Sequence, residues 1–155
     1  MKIISKSLAA LSLVLLCACS TIGEYMMSDE ITGVQWKPMY VANLEGVSAP
    51  HNNETDFGPV YISFSKGDGG FDVRGMSGCN IFNGGLEFKG LNDVEFTKML
   101  STRRMGKYAA YENKFLEALA QTNYMMLKNG ILYFCKKSDD GTSMVVMKFC
   151  KGKKI

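Results

Sequence analysis

Apolar and polar residues alternate along most of the chain, and this alternation predicts a domain built mainly from β-strands. Val60, Ile62 and Phe64 take every second position of one segment, as in a strand with one buried face. The same spacing recurs around residues 71–74, 86–89 and 94–96, and further strands are predicted at 124–128, 131–137 and 142–150. With a first strand near Trp36, interrupted by Pro38, the pattern predicts about eight strands.

Short turns separate these strands. Residues 66–70 include three glycines, and Asp139-Asp140-Gly141 follows a later strand. Asn129-Gly130 is the pair most typical of a two-residue hairpin, because both residues tolerate positive φ. Turns this short join antiparallel neighbours, so we expect a mostly antiparallel sheet.

One segment has helical spacing. Its apolar residues recur at intervals of three and four, with charged and amide side chains on the remaining arc; they are Tyr108, Tyr111, Phe115, Ala118 and Leu119. This predicts a single helix at 108–123. The expected fold is therefore α+β: a strongly bent, mostly antiparallel sheet, partly closed as a barrel and packed by one helix.

Between two predicted strands, residues 73–85 contain four glycines, one cysteine and two asparagines. Such glycine density is typical of backbone that bends sharply or approaches another segment closely. The stretch lacks the Gly-Lys-Ser/Thr ending of a phosphate-binding loop, and no helix is predicted to begin there. We interpret it as the corner at which the sheet bends, with Ser77 and Asn80 satisfying freed backbone groups locally.

The N-terminus has the pattern of a bacterial export signal. Lys2 and Lys6 precede an apolar run, residues 8–16, that is too short to span a membrane. The following Leu-Cys-Ala-Cys resembles the lipobox of bacterial lipoproteins, and Cys19 fits the acylated cysteine better than Cys17 because Ala18 precedes it. An ordinary cleaved signal peptide is the alternative.

The resulting domain prediction is a signal peptide at 1–18, a lipidated N-terminus and tether at 19–33, and a folded domain at 34–155. Acyl chains on Cys19 would anchor the protein to a membrane. Ser20 stands where an inner-membrane lipoprotein would carry Asp, so the resemblance implies the outer membrane of the cell envelope.

The charge balance argues against a nucleic-acid partner. The chain has 18 basic and 15 acidic residues, and loss of Lys2 and Lys6 leaves 16 basic against 15. Basic residues form one group at the C-terminal end, at Lys148, Lys151, Lys153 and Lys154. We expect a solvated terminus there; contact with anionic lipid headgroups is the alternative. Arg103 and Arg104 form a second group, for which we expect a structural role, with anion binding as the alternative.

Three cysteines follow Cys19: Cys79, Cys135 and Cys150. Two alternatives remain open for these cysteines: one internal disulfide, or three buried thiols. The expected hairpin register does not place Cys135 opposite Cys150. A catalytic Cys79 would need a base, and the sole histidine, His51, lies in a predicted exposed loop at 48–58.

Metal chemistry has little support in the sequence. The cysteines lack the close spacing of a zinc site, and a second histidine is missing. Four aspartates near glycines lack the ligand spacing of a calcium loop and suit turns instead: Asp68, Asp72, Asp139 and Asp140. We therefore expect no metal, no cofactor and no catalytic residue.

With these elements in place, the chain resembles the META-domain (HslJ-like) family over about residues 34–150. A glycine-flanked Gly-Cys-Asn at 78–80 and a Ser-Thr-Arg segment at 101–103, followed by a helix with an acidic residue, match the family's two motifs. The matching residues, expected to be structural, are Gly75, Ser77, Gly78, Cys79, Asn80, Gly84, Thr102, Arg103 and Glu112. Gly106 departs from the pattern, since many relatives have a second cysteine there.

This resemblance implies a loosely defined role in envelope stress or integrity. We expect a lipid-anchored envelope protein without catalytic activity, held on the membrane by its N-terminal acyl chains. Its further partner would be another envelope protein rather than a nucleic acid, and we identify no small-molecule substrate. The alternative is a small thiol-dependent hydrolase that uses Cys79.

Overall fold

The computed structural model describes residues 30–155. Its strands are, in chain order, β1 (Val34–Val41), β2 (Glu54–Thr55), β3 (Gly58–Pro59), β4 (Tyr61–Gly67), β5 (Gly70–Met76), β6 (Ile81–Phe88), β7 (Val94–Ser101), β8 (Tyr124–Lys128), β9 (Ile131–Lys137) and β10 (Ser143–Lys154). One α-helix, α1, spans Ala109–Gln121. The predicted signal peptide and Cys19 lie outside the described residues.

Eight strands form a single antiparallel sheet in the order β7-β6-β5-β4-β1-β10-β9-β8. Most neighbours in the sheet are also neighbours in sequence, because tight turns connect them. Asn129 and Gly130 both have positive φ, at 53° and 75°, in the turn between β8 and β9. The expected α+β class and the expected sheet of about eight strands are confirmed.

The two edge strands of the sheet meet and partly close it. Asp93 and Tyr124 form an antiparallel bridge between the start of β7 and the start of β8. Val94 N donates to Asn123 O at 2.9 Å, and Met125 N donates to Asn92 O at 2.9 Å. The sheet is therefore a curled, partly closed barrel, as the sequence predicted.

The helix packs its apolar side on the concave core of this sheet. Phe115 is fully buried and its ring lies 5.8 Å from that of Phe82 and 6.2 Å from that of Phe149. Tyr108 precedes the first turn without a side-chain cap, and Thr122 leaves helical geometry at the other end. The helix is thus slightly shorter than predicted, at the boundaries where periodicity is least informative.

Three segments differ from the expected pattern. The predicted loop at 48–58 contains a short 3₁₀ turn, His51–Asn53, and the two-residue strands β2 and β3, which pair with each other. The last strand continues to Lys154 instead of ending near Cys150, because β1 offers it pairing partners as far as Val34. Ile31, inside the predicted tether, is fully buried, and its carbonyl accepts a hydrogen bond from Trp36 Nε1 at 2.9 Å.

Candidate functional site: a buried carboxylate at the glycine corner

The glycine corner, residues 75–85, comprises the end of β5, a tight turn and the start of β6. Gly78 has a φ of +154°, and a β-carbon there would lie 3.2 Å from Glu112 Cβ and 3.3 Å from Tyr108 O. At Gly75 a β-carbon would overlap the Phe82 ring and Tyr61 O. Glycine is required at both positions because the first turn of α1 and the neighbouring strands approach the corner backbone closely.

Glu112, in the first turn of α1, directs its carboxylate into this corner. Its Oε2 atom accepts hydrogen bonds from Cys79 N at 2.8 Å, Asn80 N at 2.8 Å and Ser77 Oγ at 2.9 Å. Its Oε1 atom accepts one from Asn80 Nδ2 at 2.6 Å. The side chain is only 7% exposed, so a charged group is removed from water and solvated by protein donors instead.

Asn80 connects this carboxylate to the chain that follows β7. Its Oδ1 atom accepts from Thr102 Oγ1 at 2.8 Å and from Arg104 N at 2.6 Å. Its Nδ2 group donates to Arg104 O at 2.9 Å as well as to Glu112. Both hydrogens and both acceptor positions of the amide are therefore used, and three separate segments are fixed relative to one another.

The corner has the geometry of an anion-binding nest, since successive backbone N–H groups converge on one negatively charged atom. The anion is the protein's own Glu112, held beside the N-terminal turn of α1, where the helix dipole favours negative charge. As expected, no helix begins within this stretch, because β6 follows it directly; α1 instead approaches the corner from more than thirty residues further along the chain. The expected local role of the Ser77 side chain is seen in its Oγ–H, which is shared between Asn80 O at 3.1 Å and Glu112 Oε2 at 2.9 Å, whereas the Asn80 side chain bonds across the fold.

Cys79 lies in the same corner and is 1% exposed. Its thiol is free, as are those of Cys135 and Cys150. A β-carbon at Gly106 would lie 2.7 Å from Cys79 Sγ, so the loop before α1 packs directly on the sulfur. Cys135 faces Val145, and Cys150 faces Ile131, in agreement with the expectation that the two do not pair.

Within residues 30–155, no hydrogen bond connects His51 to the glycine corner. His51 is exposed in its 3₁₀ turn. Arg103 is also exposed, while the backbone of Arg104 holds Asn80. Gly84 lies further along β6, where a β-carbon would overlap Met99 Sδ.

The sequence placed Arg103 and Arg104 together before the helix, but only Arg103 was included in the family motif, and nothing in the sequence pointed to Phe57. Arg104 supplies both backbone bonds to Asn80, and its guanidinium lies 4.5 Å from the centre of the Phe57 ring. Neither contact has a local signal in the sequence, because the partners come from segments far apart in the chain.

Outside the corner, the described residues include an exposed ion-pair group in which Lys89 contacts Glu87 and Glu95. Asp140 Oδ1 accepts from Thr142 N and Thr142 Oγ1 within its turn, which lowers the pKa of the carboxyl. In residues 30–155 no three His, Cys, Asp or Glu side chains are grouped as metal ligands. A groove of about 650 Å³ beside β5, β6 and β7 has side chains of both charges, including Asp72, Arg74 and Lys98, and so favours no single class of ligand.

A family model for the META domain matches residues 29–148. The chain belongs to the META domain family. The resemblance drawn from the Gly-Cys-Asn and Ser-Thr-Arg motifs is therefore confirmed, and the network of Glu112 with Asn80 lies wholly inside this META domain.

A solved structure is also similar to this META domain. It is described as the NMR structure of the protein from Burkholderia xenovorans, with a TM-score of 0.55, 17% sequence identity, and coverage of 99% of this chain and 100% of the other. At this identity the likeness supports the fold alone. No curated protein is matched by the chain. In the part of the chain that the structure describes, no helix is long and apolar enough to cross a membrane.

Proposed function

We propose that this META domain is a lipid-anchored envelope module that acts by binding, without catalysis. The observation that supports this proposal is the internal use of the polar groups in the glycine corner. Both Glu112 oxygens accept hydrogen bonds from the corner itself, and Cys79 is closed off beneath Gly106. A catalytic carboxylate or thiol must instead face its substrate.

The anchor rests on the N-terminal sequence. Cys19 follows Ala18 at the end of a short apolar run, and an acylated cysteine at this position would hold the domain at the surface of a membrane. The proposed location is the cell envelope, on the outer membrane where the cell has two. A supporting role in envelope integrity or stress, through another envelope component, fits a domain whose glycine corner uses its polar groups internally.

Thiol modification of the folded protein tests the non-catalytic role against a Cys79 hydrolase. Cys150 is partly exposed and is expected to react first, whereas Cys79 and Cys135 are buried and should react only as the protein unfolds. Peptide mass mapping after a short exposure to a maleimide, with a urea-unfolded sample as control, measures the order. Rapid stoichiometric modification of Cys79 in the folded protein would favour the hydrolase and overturn the proposal.

Acylation tests the anchor. A bacterial host fed a radiolabelled fatty acid should label the wild-type protein and a Cys17→Ser variant, and both should sediment with membranes. The Cys19→Ser variant should lose the label and leave the membrane fraction. Retention of the label in Cys19→Ser, or its loss in Cys17→Ser alone, would contradict the assignment of Cys19.

A further inference from the structure

Lysines are concentrated on one pair of strands. Lys37 on β1 and four residues of β10 form a group that we call the lysine ladder: Lys37, Lys148, Lys151, Lys153 and Lys154. Because β10 pairs with β1 as far as Lys154, these residues lie on ordered sheet and not on a loose terminus. The backbone positions of these lysines are therefore fixed by the fold.

The charge of this ladder is not neutralised within the described domain. Neither β1 nor β10 contains an aspartate or glutamate. The ion pairs within residues 30–155 involve Lys89, Lys114 and Lys137, and none includes a ladder lysine. Because successive residues of a strand point to opposite faces, Lys153 and Lys154 extend to both sides of the end of β10. This uncompensated group of five lysines is complementary to an anionic surface that meets the end of the strand.

Aromatic and apolar side chains accompany the lysines. Lys148 Nζ lies 5.7 Å from the ring centres of both Tyr40 and Tyr133. Met39 is 58% exposed on β1, and Ile155 is 67% exposed beyond the end of β10. Lysine with tyrosine and isolated exposed aliphatic residues is a combination suited to a membrane–water interface, where one end of each side chain is apolar and the other polar.

The first residues of the described domain lie beside the end of the ladder. Ile155 N donates to Gly33 O at 3.0 Å, and Val34 pairs with Lys154, so the chain enters the domain beside the end of the ladder. Eleven residues, 20–30, follow Cys19 up to the first described residue. Even fully extended they reach no more than about 40 Å.

We propose that the lysine ladder docks on anionic lipid headgroups and orients the META domain against the membrane. This inference rests on the proposed lipid anchor, which would keep the ladder close to the surface. Anionic phosphate groups would bind the ammonium groups of Lys151, Lys153 and Lys154, with each lysine strengthening surface binding about fivefold.

Lysine footprinting of the acylated full-length mature protein tests the docking. The protein is reconstituted in vesicles of phosphatidylcholine alone, or with one third phosphatidylglycerol, and treated briefly with an amine-reactive reagent. Lys151, Lys153 and Lys154 are expected to react at least fivefold more slowly on anionic vesicles than on neutral ones, and 0.5 M salt should restore their reactivity. Lys107 and Lys136, exposed elsewhere, serve as internal references. Equal reactivity on the two vesicles would overturn the proposal.

A charge-reversal pair gives a second measurement. Lys151→Glu/Lys153→Glu/Lys154→Glu should abolish the difference between the two vesicles at Lys37 and Lys148, whereas Lys107→Glu/Lys114→Glu/Lys136→Glu, with the same change in net charge, should preserve it. Thermal unfolding of both variants establishes that they are folded.

A separate measurement distinguishes failure of the proposed lipid anchor from failure of the lysine ladder. Flotation with neutral vesicles depends on the acyl chains and not on the lysines, so its loss contradicts the proposed anchor while the footprint on anionic vesicles still reports on the ladder. Protection that appears in native membranes but not in vesicles of purified lipid would indicate an acidic protein as the occupant and overturn the lipid assignment.

Discussion

Glu112 shows why a single carboxylate can hold the fold together. Burial of an ionised group is costly unless protein donors replace the lost water, and here every donor comes from the glycine corner. No cation participates among the hydrogen bonds of this carboxylate. The charge is balanced by N–H dipoles, so the arrangement depends on geometry more than on ionic strength.

Glu112→Gln removes the charge and turns one acceptor into an NH₂ group. In the wild type both oxygens of Glu112 accept hydrogen bonds from Cys79 or Asn80. In either orientation of the new amide, its NH₂ group would therefore face one of these donors. We expect the free energy of unfolding, measured by urea titration, to fall by about 2–4 kcal/mol.

Glu117→Gln on the same helix is the matched control. Glu117 forms an exposed ion pair with Lys114 at 3.1 Å, and its loss should change stability by less than about 0.5 kcal/mol. Similar effects of the two substitutions would show that burial of Glu112 does not stabilise the corner.

At the scale of elements, the corner is the meeting point of the β5–β6 turn, the first turn of α1 and the loop after β7. Thr102 N donates to Ile81 O at 3.0 Å, and Gly106 covers Cys79. The family resemblance implies a cysteine at the position of Gly106, whereas here the loop is held by Asn80 and by close packing. A substitution that adds a β-carbon at Gly106 therefore tests this packing directly.

Gly106→Cys is expected to form a disulfide with Cys79. The new β-carbon would lie 3.5 Å from Cys79 Cβ, within the range of about 3.5–4.5 Å found in disulfides. Oxidation would close a loop of about 28 residues and raise the free energy of unfolding by about 2–4 kcal/mol over the reduced variant. Thiol counting by mass spectrometry and urea unfolding with and without reductant measure both effects.

Gly106→Ser provides the control for size, because it adds a β-carbon without a bridging sulfur. It should be less stable than the wild type, since the added atom crowds Cys79 Sγ and Phe57. If Cys79 and the cysteine introduced at position 106 both stay reduced under oxidising conditions, so that four free thiols are counted with Cys135 and Cys150, the loop does not approach the corner as described.

The local part of this architecture could be predicted from the sequence. Alternation found the strands from Tyr61 to Phe88, and Asn129-Gly130 identified a hairpin, since both signals act between near neighbours. The continuation of β10 could not be found this way, because Lys151, Lys153 and Lys154 have no apolar alternation and gain their structure from pairing with β1.

The candidate site was predicted only as a set of residues. The family motif included Asn80, Thr102 and Glu112. Their hydrogen bonds, however, join Asn80 to residues 22 and 32 positions further along the chain. Such contacts depend on the curvature of the sheet and on where the helix packs against it, and a local sequence pattern predicts neither.

At the scale of the whole molecule, the aromatic core links both halves of the curled sheet through the helix. Ring centres of Phe134 and Phe149 lie 4.8 Å apart, and Phe115 connects Phe149 to Phe82 of the corner. With the edge strands joined at Asp93 and Tyr124, no part of the described domain has a separate core. We therefore treat unfolding as a single cooperative transition.

Alkaline pH should weaken this single unit. Burial raises the pKa of the Tyr111 phenol and of the Cys135 thiol above their ordinary values of 10.0 and 9.0. The folded protein therefore keeps protons that the unfolded chain releases, so stability is fully present below pH 9 and declines as the pH rises above these values.

Tyr111→Phe tests the larger of these two contributions while keeping the buried ring. Urea titrations between pH 7 and 11.5 measure the free energy of unfolding, which is expected to fall as the pH rises in the wild type. Tyr111→Phe should make this slope shallower above pH 10, by at most about 1.4 kcal/mol per pH unit. Cys135→Ala should act in the same direction but from pH 9, because its thiol begins to ionise earlier in the unfolded chain. Below pH 9 each variant should differ from the wild type by a constant offset. An unchanged slope in Tyr111→Phe would mean that the phenol reaches water in the folded state, and that the first turn of α1 does not seal the core against solvent.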